Sequence, residues 1–394
     1  MPRVSKKEEE NTFSMFEVIV IILISILFGI VIGYIITYNK NPMYDNKSGS
    51  NVSEIVNVYS NLVNNYYGKV DQDKLSDAAI KGMIESLDDP FTNYMDSATT
   101  NEFNYTVDGS FVGIGITITL EDEYYKIIDI MKNTPAAKSK LQVGDIITKI
   151  DGEEIKNDYN NLFSKMLKGK VGTKVDITVL RDGKEKTYTL KRALIEVDTV
   201  HKRIINYEGL KVGYIKIDSF SANSYKQFDK AMKKFDKEKV TSLIIDVRDN
   251  PGGHLKETRE ILSIFFDKKT ILYQMKTNNK KIKVYGSNNK TKDYKVVVLI
   301  NSGSASAAEV VASAFKDNYK NSVLVGETTY GKGTVQKSQT LNSGNSIKYT
   351  TEKWLTSKGK WLDQKGVKPD IEVKNTSEED NQLQEALKQT KESN

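Results

Sequence analysis

Three short segments concentrate the residues that could do chemistry. Asp249-Asn250-Pro251-Gly252-Gly253 offers glycine N–H groups with no side chain to block a close approach. Asn301-Ser302-Gly303-Ser304-Ala305-Ser306-Ala307-Ala308-Glu309 sets serines among small residues just ahead of an apolar, helix-like run. Gly326-Glu327-Thr328-Thr329-Tyr330-Gly331-Lys332-Gly333 delivers a lysine between glycines. A serine hydroxyl at a helix start is exposed, and the neighbouring N–H groups favour developing negative charge. With the glycine N–H groups they could form a two-donor oxyanion hole. A buried lysine with a lowered pKa can deprotonate a serine without any histidine. Each segment alone has a plainer use: Ser304 and Ser306 as helix caps, Pro-Gly-Gly as a turn, His254 as a polar loop residue.

Two motif matches fail on context. Gly326-x-x-x-x-Gly331-Lys332 has Walker A spacing, but Gly333 stands where Ser or Thr should bind Mg²⁺. The residues that follow, Thr334-Val335-Gln336-Lys337-Ser338, alternate like a strand and do not open a helix. Ser357-x-x-Lys360 has the spacing of penicillin-recognising enzymes but sits in a polar turn with no Lys-Thr-Gly partner.

The elements that must position the three segments read as α/β. Each segment follows an apolar run of the kind expected for a strand buried on both faces: Ser242–Val247, Lys295–Ile300 and Val323–Val325. Val212–Ile217 is a further strand, and Ser224–Phe235, Glu257–Phe266 and Ala307–Phe315 read as helices. Strand and helix alternate, which predicts a largely parallel sheet whose C-terminal edge carries the site. Upstream, Ser110 to Gly183 reads as short strands around Thr134-Pro135-Ala136-Ala137, which is expected to open a short helix. Glu54 to Leu87 shows helical spacing broken near Gly68.

Val18 to Asn39 holds no charged residue and is long enough to cross a bilayer as a helix, which takes about 20 residues. Nothing like a small-residue cleavage site follows it, so an uncleaved anchor is expected. Arg3, Lys6 and Lys7 precede it and place the N-terminus in the cytoplasm. Gly29 and Gly33 have the spacing of a helix-pairing motif, which leaves a homodimer open beside two small residues facing lipid.

Composition excludes much else. The 394 residues contain no cysteine and only His201 and His254, so zinc sites, thiol nucleophiles and Ser-His-Asp triads have almost no material. No cofactor and no metal is expected. Lys and Arg number 58 against 52 Asp and Glu, a net charge of +6 too small and interspersed to imply nucleic acid. A mean hydropathy of −0.48 rules out a polytopic membrane protein.

In their order along the chain, the motifs resemble those of the C-terminal processing peptidases, or tail-specific serine proteases, over about Glu54 to Val373. Leu87-Asp88-Asp89-Pro90-Phe91-Thr92-Asn93-Tyr94 is similar to the family's Asp-Pro-aromatic segment, and Gly109 to Arg192 to its PDZ domain. Asp246–Gly253 is similar to its oxyanion strand-loop, Gly303–Glu309 to its nucleophile loop, Gly331–Gln336 to its lysine loop, and Gly366–Asp370 to its closing segment. The resemblance implies Ser306, not Ser304, as nucleophile, Lys332 as general base and Gln336 as the residue orienting the lysine. It implies oxyanion donors at Ala307 and at Gly252 or Gly253, and a carboxylate-binding PDZ loop at Val112, Gly113, Ile114, Gly115 and Ile116. The chain departs from the family at Ala308, where a second serine is common, and between Asp317 and Ser322, which is one residue longer.

The expectation is a multidomain α+β and α/β protein. It has a cytoplasmic N-terminus (1–17), a transmembrane helix (18–39), a linker and helical region (40–108), a PDZ domain (109–192), a serine protease core (193–375) and a charged tail (376–394). It would be a bacterial, single-pass membrane protein with an extracytoplasmic catalytic domain that cleaves protein substrates bearing a free C-terminal tail. The rival is a PDZ adaptor whose protease-like domain only binds; the intact Ser306, Lys332 and Gln336 favour the enzyme.

Overall fold

The computed structural model describes residues 25–32, 48–121, 123–155, 169–289, 291–376 and 378–391. The chain divides into two compact units, residues 1–86 and Leu87–Asn394. The first contains α1 (Ser48–Asn65) and α2 (Gln72–Glu85), the two helices that the spacing predicts on either side of Gly68. Asp71 caps α2, its carboxylate accepting the Lys74 N–H at 3.1 Å. Residues 25–32 of the uncharged run are helical and exposed. The rest of that run, with 1–17 and 40–47, lies outside the described residues. Among the described residues no helix is long and apolar enough to cross a membrane.

The second unit begins with β1 (Asn93–Met95) and α3 (Ser97–Val107), the latter capped by Asp96. A pair of antiparallel strands, β2 (Ser110–Gly113) and β9 (Ala193–Glu196), then brackets the segment expected to be a PDZ domain. Within that bracket lie β3 (Ile116–Glu121), β4 (Tyr124–Ile130), β5 (Ile146–Ile150), β6 (Glu153–Glu154), β7 (Lys174–Arg181) and β8 (Lys184–Lys191). They form one antiparallel sheet in the order β3-β4-β5-β7-β8, with β6 on β5. Its core is Ile127, Ile147, Ile150, Ile177 and Val179, all fully buried. Thr134–Ala137 forms turns and not the expected helix. The Thr134 hydroxyl bonds back to the Met131 carbonyl at 2.7 Å and the Ser139 hydroxyl takes the Leu141 N–H at 3.0 Å. Such local side-chain bonds compete with a helix ladder.

The remainder is built on a six-stranded sheet of β10 (Val200–Tyr207), β11 (Leu210–Ile217), β12 (Ser242–Asp246), β15 (Lys295–Ile300), β16 (Ser322–Gly326) and β19 (Ile371–Glu372), in that order. Only β10 runs antiparallel to its neighbour. Strand alternation divides its side chains between two cores. Leu243, Ile245, Val296, Val298 and Leu324 face α4 (Ser224–Lys237), α5 (Leu255–Leu262) and α6 (Ala307–Asn318). Ile244, Val297, Leu299 and Val325 face the other way, onto Leu383, Ala386 and Leu387 of α7 (Asn381–Gln389). Burial on both faces explains the unbroken apolar runs, each side chain contributing about 1.5–3 kcal/mol. An antiparallel sheet completes the unit: β13 (Ile271–Lys276), β14 (Lys281–Tyr285), β17 (Thr334–Thr340) and β18 (Ser346–Thr356), with β1 and β17 on opposite edges of β18.

The segment read as a charged tail therefore holds a docked helix. Its apolar face, Leu383, Ala386 and Leu387, is joined by a polar anchor. Arg248 makes bonds of 3.0 and 2.6 Å to Asp246 and of 2.6 and 3.0 Å to Asp380, and one of 3.1 Å to Gln382. Tyr214 donates to Asp246 at 2.7 Å. Burial raises the Asp380 carboxyl, but the Arg248 guanidinium, the Leu383 N–H and Asn375 together more than offset this and hold it below the usual carboxylate range. Its contribution to stability is thus present above the unfolded-state value and lost as pH falls through the depressed one. Asp380→Ala is expected to lower stability by about 1–2 kcal/mol, reduced from a fully buried pair by the exposure of Asp380. Urea unfolding measures this, and an unchanged midpoint at neutral pH would contradict the anchor.

Candidate active site

The first and second chemical segments leave β12 and β15 side by side and are sewn together by short polar bonds. Ser304 is fully buried. Its hydroxyl donates to the Val247 carbonyl at 2.7 Å and accepts the Asn301 N–H at 3.0 Å. Asn301 exchanges two bonds with Asp249, of 2.9 and 2.8 Å. Buried Asn250 donates to the Ile217 carbonyl at 2.8 Å, and its own carbonyl receives the Ala305 N–H at 2.9 Å. Ser304 is thus spent on structure, and of the two serines before the helix Ser306 is the one left partly exposed.

Ser306 heads α6 with φ 54° and ψ −111°, a left-handed conformation that costs a non-glycine residue about 1–3 kcal/mol. Gly252 lies against it: a Cβ there would stand 2.9 Å from the Ser306 Cβ and 3.1 Å from the Ala307 nitrogen. At Gly253 a Cβ would meet the Phe220 carbonyl oxygen at 2.4 Å. Both positions admit only glycine. The Gly252 N–H is engaged by the Asn250 side-chain oxygen at 2.8 Å. The N–H groups of Gly253 and Ala307 have no acceptor among the described residues.

What holds Ser306 in its strained form is Glu309, one turn along α6 and completely buried. Its Oε2 accepts the N–H of Ser306 at 2.8 Å and of Lys332 at 2.9 Å. Its Oε1 accepts the Thr329 hydroxyl at 2.6 Å and the Gly331 N–H at 2.8 Å. One carboxylate therefore ties the serine loop to the lysine loop. Trp354 and Trp361 fix the lysine loop from the other side, donating to the Lys332 and Gly333 carbonyls at 2.6 and 3.1 Å.

The Lys332 side chain is half-buried, its Nζ 4.3 Å from the centre of the Phe91 ring. Burial lowers its pKa and the positive charge of Lys348 lowers it further, against the opposing pull of Asp89 and Glu309. Gln336, on β17, donates through Nε2 to the hydroxyls of Thr334 and Thr350 at 3.0 and 3.1 Å. Among the described residues no hydrogen bond joins Lys332 Nζ to Ser306 or to Gln336, a looseness common in substrate-free sites. The histidines are committed elsewhere: His254 Nε2 lies 3.0 Å from Asp108 and His201 Nε2 2.7 Å from Asp218.

The proposed carboxylate-binding loop stands apart from this cluster. Val112 and Gly113 end β2, Ile114 is buried, and Gly115 has φ 85° with no room for a Cβ against Thr134. Ile116 opens β3, an edge strand whose one neighbour among the described residues is β4.

The profile of peptidase family S41 matches residues 211–373, that of a PDZ domain residues 112–191, and that of the N-terminal domain of the activating protease CtpB residues 36–99. The sequence is 36% identical to a probable CtpA-like serine protease of Staphylococcus epidermidis, over 90% of this chain and 71% of that one. It is 37% identical to the carboxy-terminal processing protease CtpB of Bacillus subtilis, over 84% of this chain and 69% of that one. The chain belongs to peptidase family S41. It is a serine peptidase with a PDZ domain. The photosystem II D1 C-terminal processing protease has a similar structure, with a TM-score of 0.50 and 25% identity over 78% of this chain and 84% of that one. A putative S41 protease from Bacteroides fragilis, at 18% identity over 84% of this chain and 96% of that one, shares the fold with a TM-score of 0.51.

In this S41 chain the residue-level reading missed Glu309, Asn250 and the approach of Phe91 to Lys332. Glu309 carries a visible signal: Ser-x-x-Glu at a helix start is the capping-box pattern. The other two are contacts across the fold with no local signature. Glu309→Gln would replace one oxygen by an amide nitrogen, which orphans either the Gly331 N–H or those of Ser306 and Lys332. We expect peptidase kcat/KM to fall at least about 100-fold and stability to fall by about 1–3 kcal/mol. Peptide hydrolysis and urea unfolding measure the two, and wild-type values in both would refute the tie.

Proposed function

We propose that the protein is a membrane-anchored bacterial endopeptidase that cleaves protein substrates near their C-termini by Ser306–Lys332 catalysis, with Gln336 steering the lysine. The observation that carries the reading is the pairing, through the buried Glu309 carboxylate, of a strained helix-capping serine with a half-buried lysine. In the first step the Ser306 Oγ bonds to the scissile carbonyl carbon while its proton passes to Lys332 Nζ. The carbonyl oxygen becomes an oxyanion facing the unengaged N–H groups of Gly253 and Ala307. Gly252, whose N–H is occupied, serves as the spacer that lets the loop approach. As the C–N bond breaks, Lys332 returns the proton to the leaving amine. Water then adds to the acyl-serine carbonyl, giving its proton to Lys332; as the Oγ–C bond breaks, Lys332 passes that proton to Ser306 Oγ and the acid product leaves.

The processing of carboxy termini named for the Bacillus subtilis and photosystem II relatives supports this substrate class. The edge of β3 beside Ile114–Ile116, unpaired among the described residues, suits an extended tail that adds as a strand, its carboxylate taken by loop N–H groups. The uncharged run 18–39 is the proposed anchor, leaving the peptidase outside the cytoplasm.

The general base must be neutral to act, so kcat/KM should rise with pH as Lys332 loses its proton. Lys332→Arg should be inert, since guanidinium cannot be deprotonated. Ser306→Ala should be equally inert, and an amidated substrate tail should be cut more slowly than the free acid. Mass spectrometry of the products across pH tests all of these. An active Lys332→Ala or Lys332→Arg would remove the lysine from the mechanism.

The anchor makes a separate prediction. Protein extracted from membranes with detergent should retain residues 18–39 at its N-terminus. Edman sequencing that starts near Tyr44 would identify a cleaved signal instead.

A further inference from the structure

A second lysine shares the face on which Lys332 lies. Lys348 is on β18, opposite Ser338 of β17 and Asn93 of β1. Side chains two apart on a strand point the same way, so Lys348 and Thr350 stand on one face. That face is the site's, because Gln336 is directly opposite Thr350 and donates to its hydroxyl at 3.1 Å. Asp89 closes the same space. It hydrogen-bonds Thr350 and accepts from Thr92 at 2.6 Å and from the Phe91 N–H at 3.0 Å, and the Phe91 ring covers Lys332. Lys348 Nζ rests 4.9 Å from the centre of the Phe103 ring of α3. Among the described residues neither ammonium forms an ion pair, so the two cations are balanced only at longer range.

We propose that Lys348 is a positioning residue for the general base: its positive charge, fixed on the site face of β18, drives Lys332 towards the neutral form that accepts the serine proton. The inference rests on the Ser306–Lys332 assignment and adds the means by which that lysine is kept neutral. A like charge nearby disfavours a second one; burial lowers both lysines, and the Lys348 charge lowers Lys332 further. Asp89 and Glu309 pull the other way, favouring the ammonium. The remaining charges around the pair are already engaged. Asp363 holds the Gly333 N–H, Lys337 lies 3.6 Å from Glu352, and Lys353 covers the Trp361 ring.

The test compares wild type, Lys348→Met and Lys348→Arg in the full-length protein. In kcat/KM against pH, the acid limb of Lys348→Met should move to higher pH by about one unit, while Lys348→Arg keeps the wild-type position. Because Lys348→Met removes a packed stem as well as a charge, the titration is also read without turnover. Competitive acetylation of Lys332 by acetic anhydride is followed by mass spectrometry in Ser306→Ala, with and without Lys348→Met, and should show the same upward displacement. An unmoved Lys332 titration overturns the proposal, as does a raised KM with an unmoved limb, which would make Lys348 a substrate contact. An unmoved titration beside an inert Lys332→Ala sinks the proposal alone, whereas full activity in Lys332→Ala sinks the base assignment and the proposal with it.

Discussion

A single buried carboxylate holds the catalytic face together. Burying a charge in a protein interior is costly unless its lone pairs are satisfied, and Glu309 meets that demand with donors from two loops that are distant in sequence. The bond to the Ser306 N–H stabilises a backbone conformation that serine would otherwise avoid. The bonds to Thr329, Gly331 and Lys332 fix where the third loop leaves β16. Neither loop can shift without exposing the charge or orphaning a donor. The cost of a buried anion is thereby converted into relative placement of the nucleophile and the base.

The sheet supplies the frame for this junction. Parallel strands β12, β15 and β16 end at the same edge, with helices on both faces, so their following loops are forced into contact. The contact is close enough that Gly252 and Gly253 admit no side chain. Ser304, Asn250 and Asn301 use their polar groups to join loop to loop, which leaves Ser306 partly exposed and the N–H groups of Gly253 and Ala307 without an acceptor among the described residues. Behind them Arg248, two residues past the end of β12, binds α7 and so ties the root of the oxyanion loop to the far face of the sheet.

What was legible in the sequence follows from which forces are local. The runs Ser242–Val247 and Lys295–Ile300 announce strands buried on both faces, and the small residues after them announce a close-packed edge. The break near Gly68 and the helix from Ala307 are equally plain. Helix α7 showed only as weak helical spacing, because its segment is mostly polar and its anchor, Arg248, lies more than a hundred residues away. The strands β13, β14 and β18 were missed for a related reason: they are half-exposed and antiparallel, without a long apolar run. At the site, Ser306 and Lys332 could be nominated from their loops. The company Lys332 keeps could not, since Asp89, Phe91 and Lys348 reach it from three separate parts of the chain.

That company suits a base that must also act as an acid. A lysine that is only desolvated would accept the serine proton poorly, because burial penalises the ammonium it becomes. A lysine with a strong carboxylate partner would hold its proton and never accept another. Here burial and Lys348 favour the neutral amine, while Asp89, Glu309 and the face of the Phe91 ring favour the ammonium, the ring by about 0.5–2 kcal/mol. Among the described residues no carboxylate touches the amine, so neither state is locked. Proton transfer in both directions requires a group whose two forms are close in free energy at the working pH. Opposed influences of moderate size achieve that balance where a single strong partner would not.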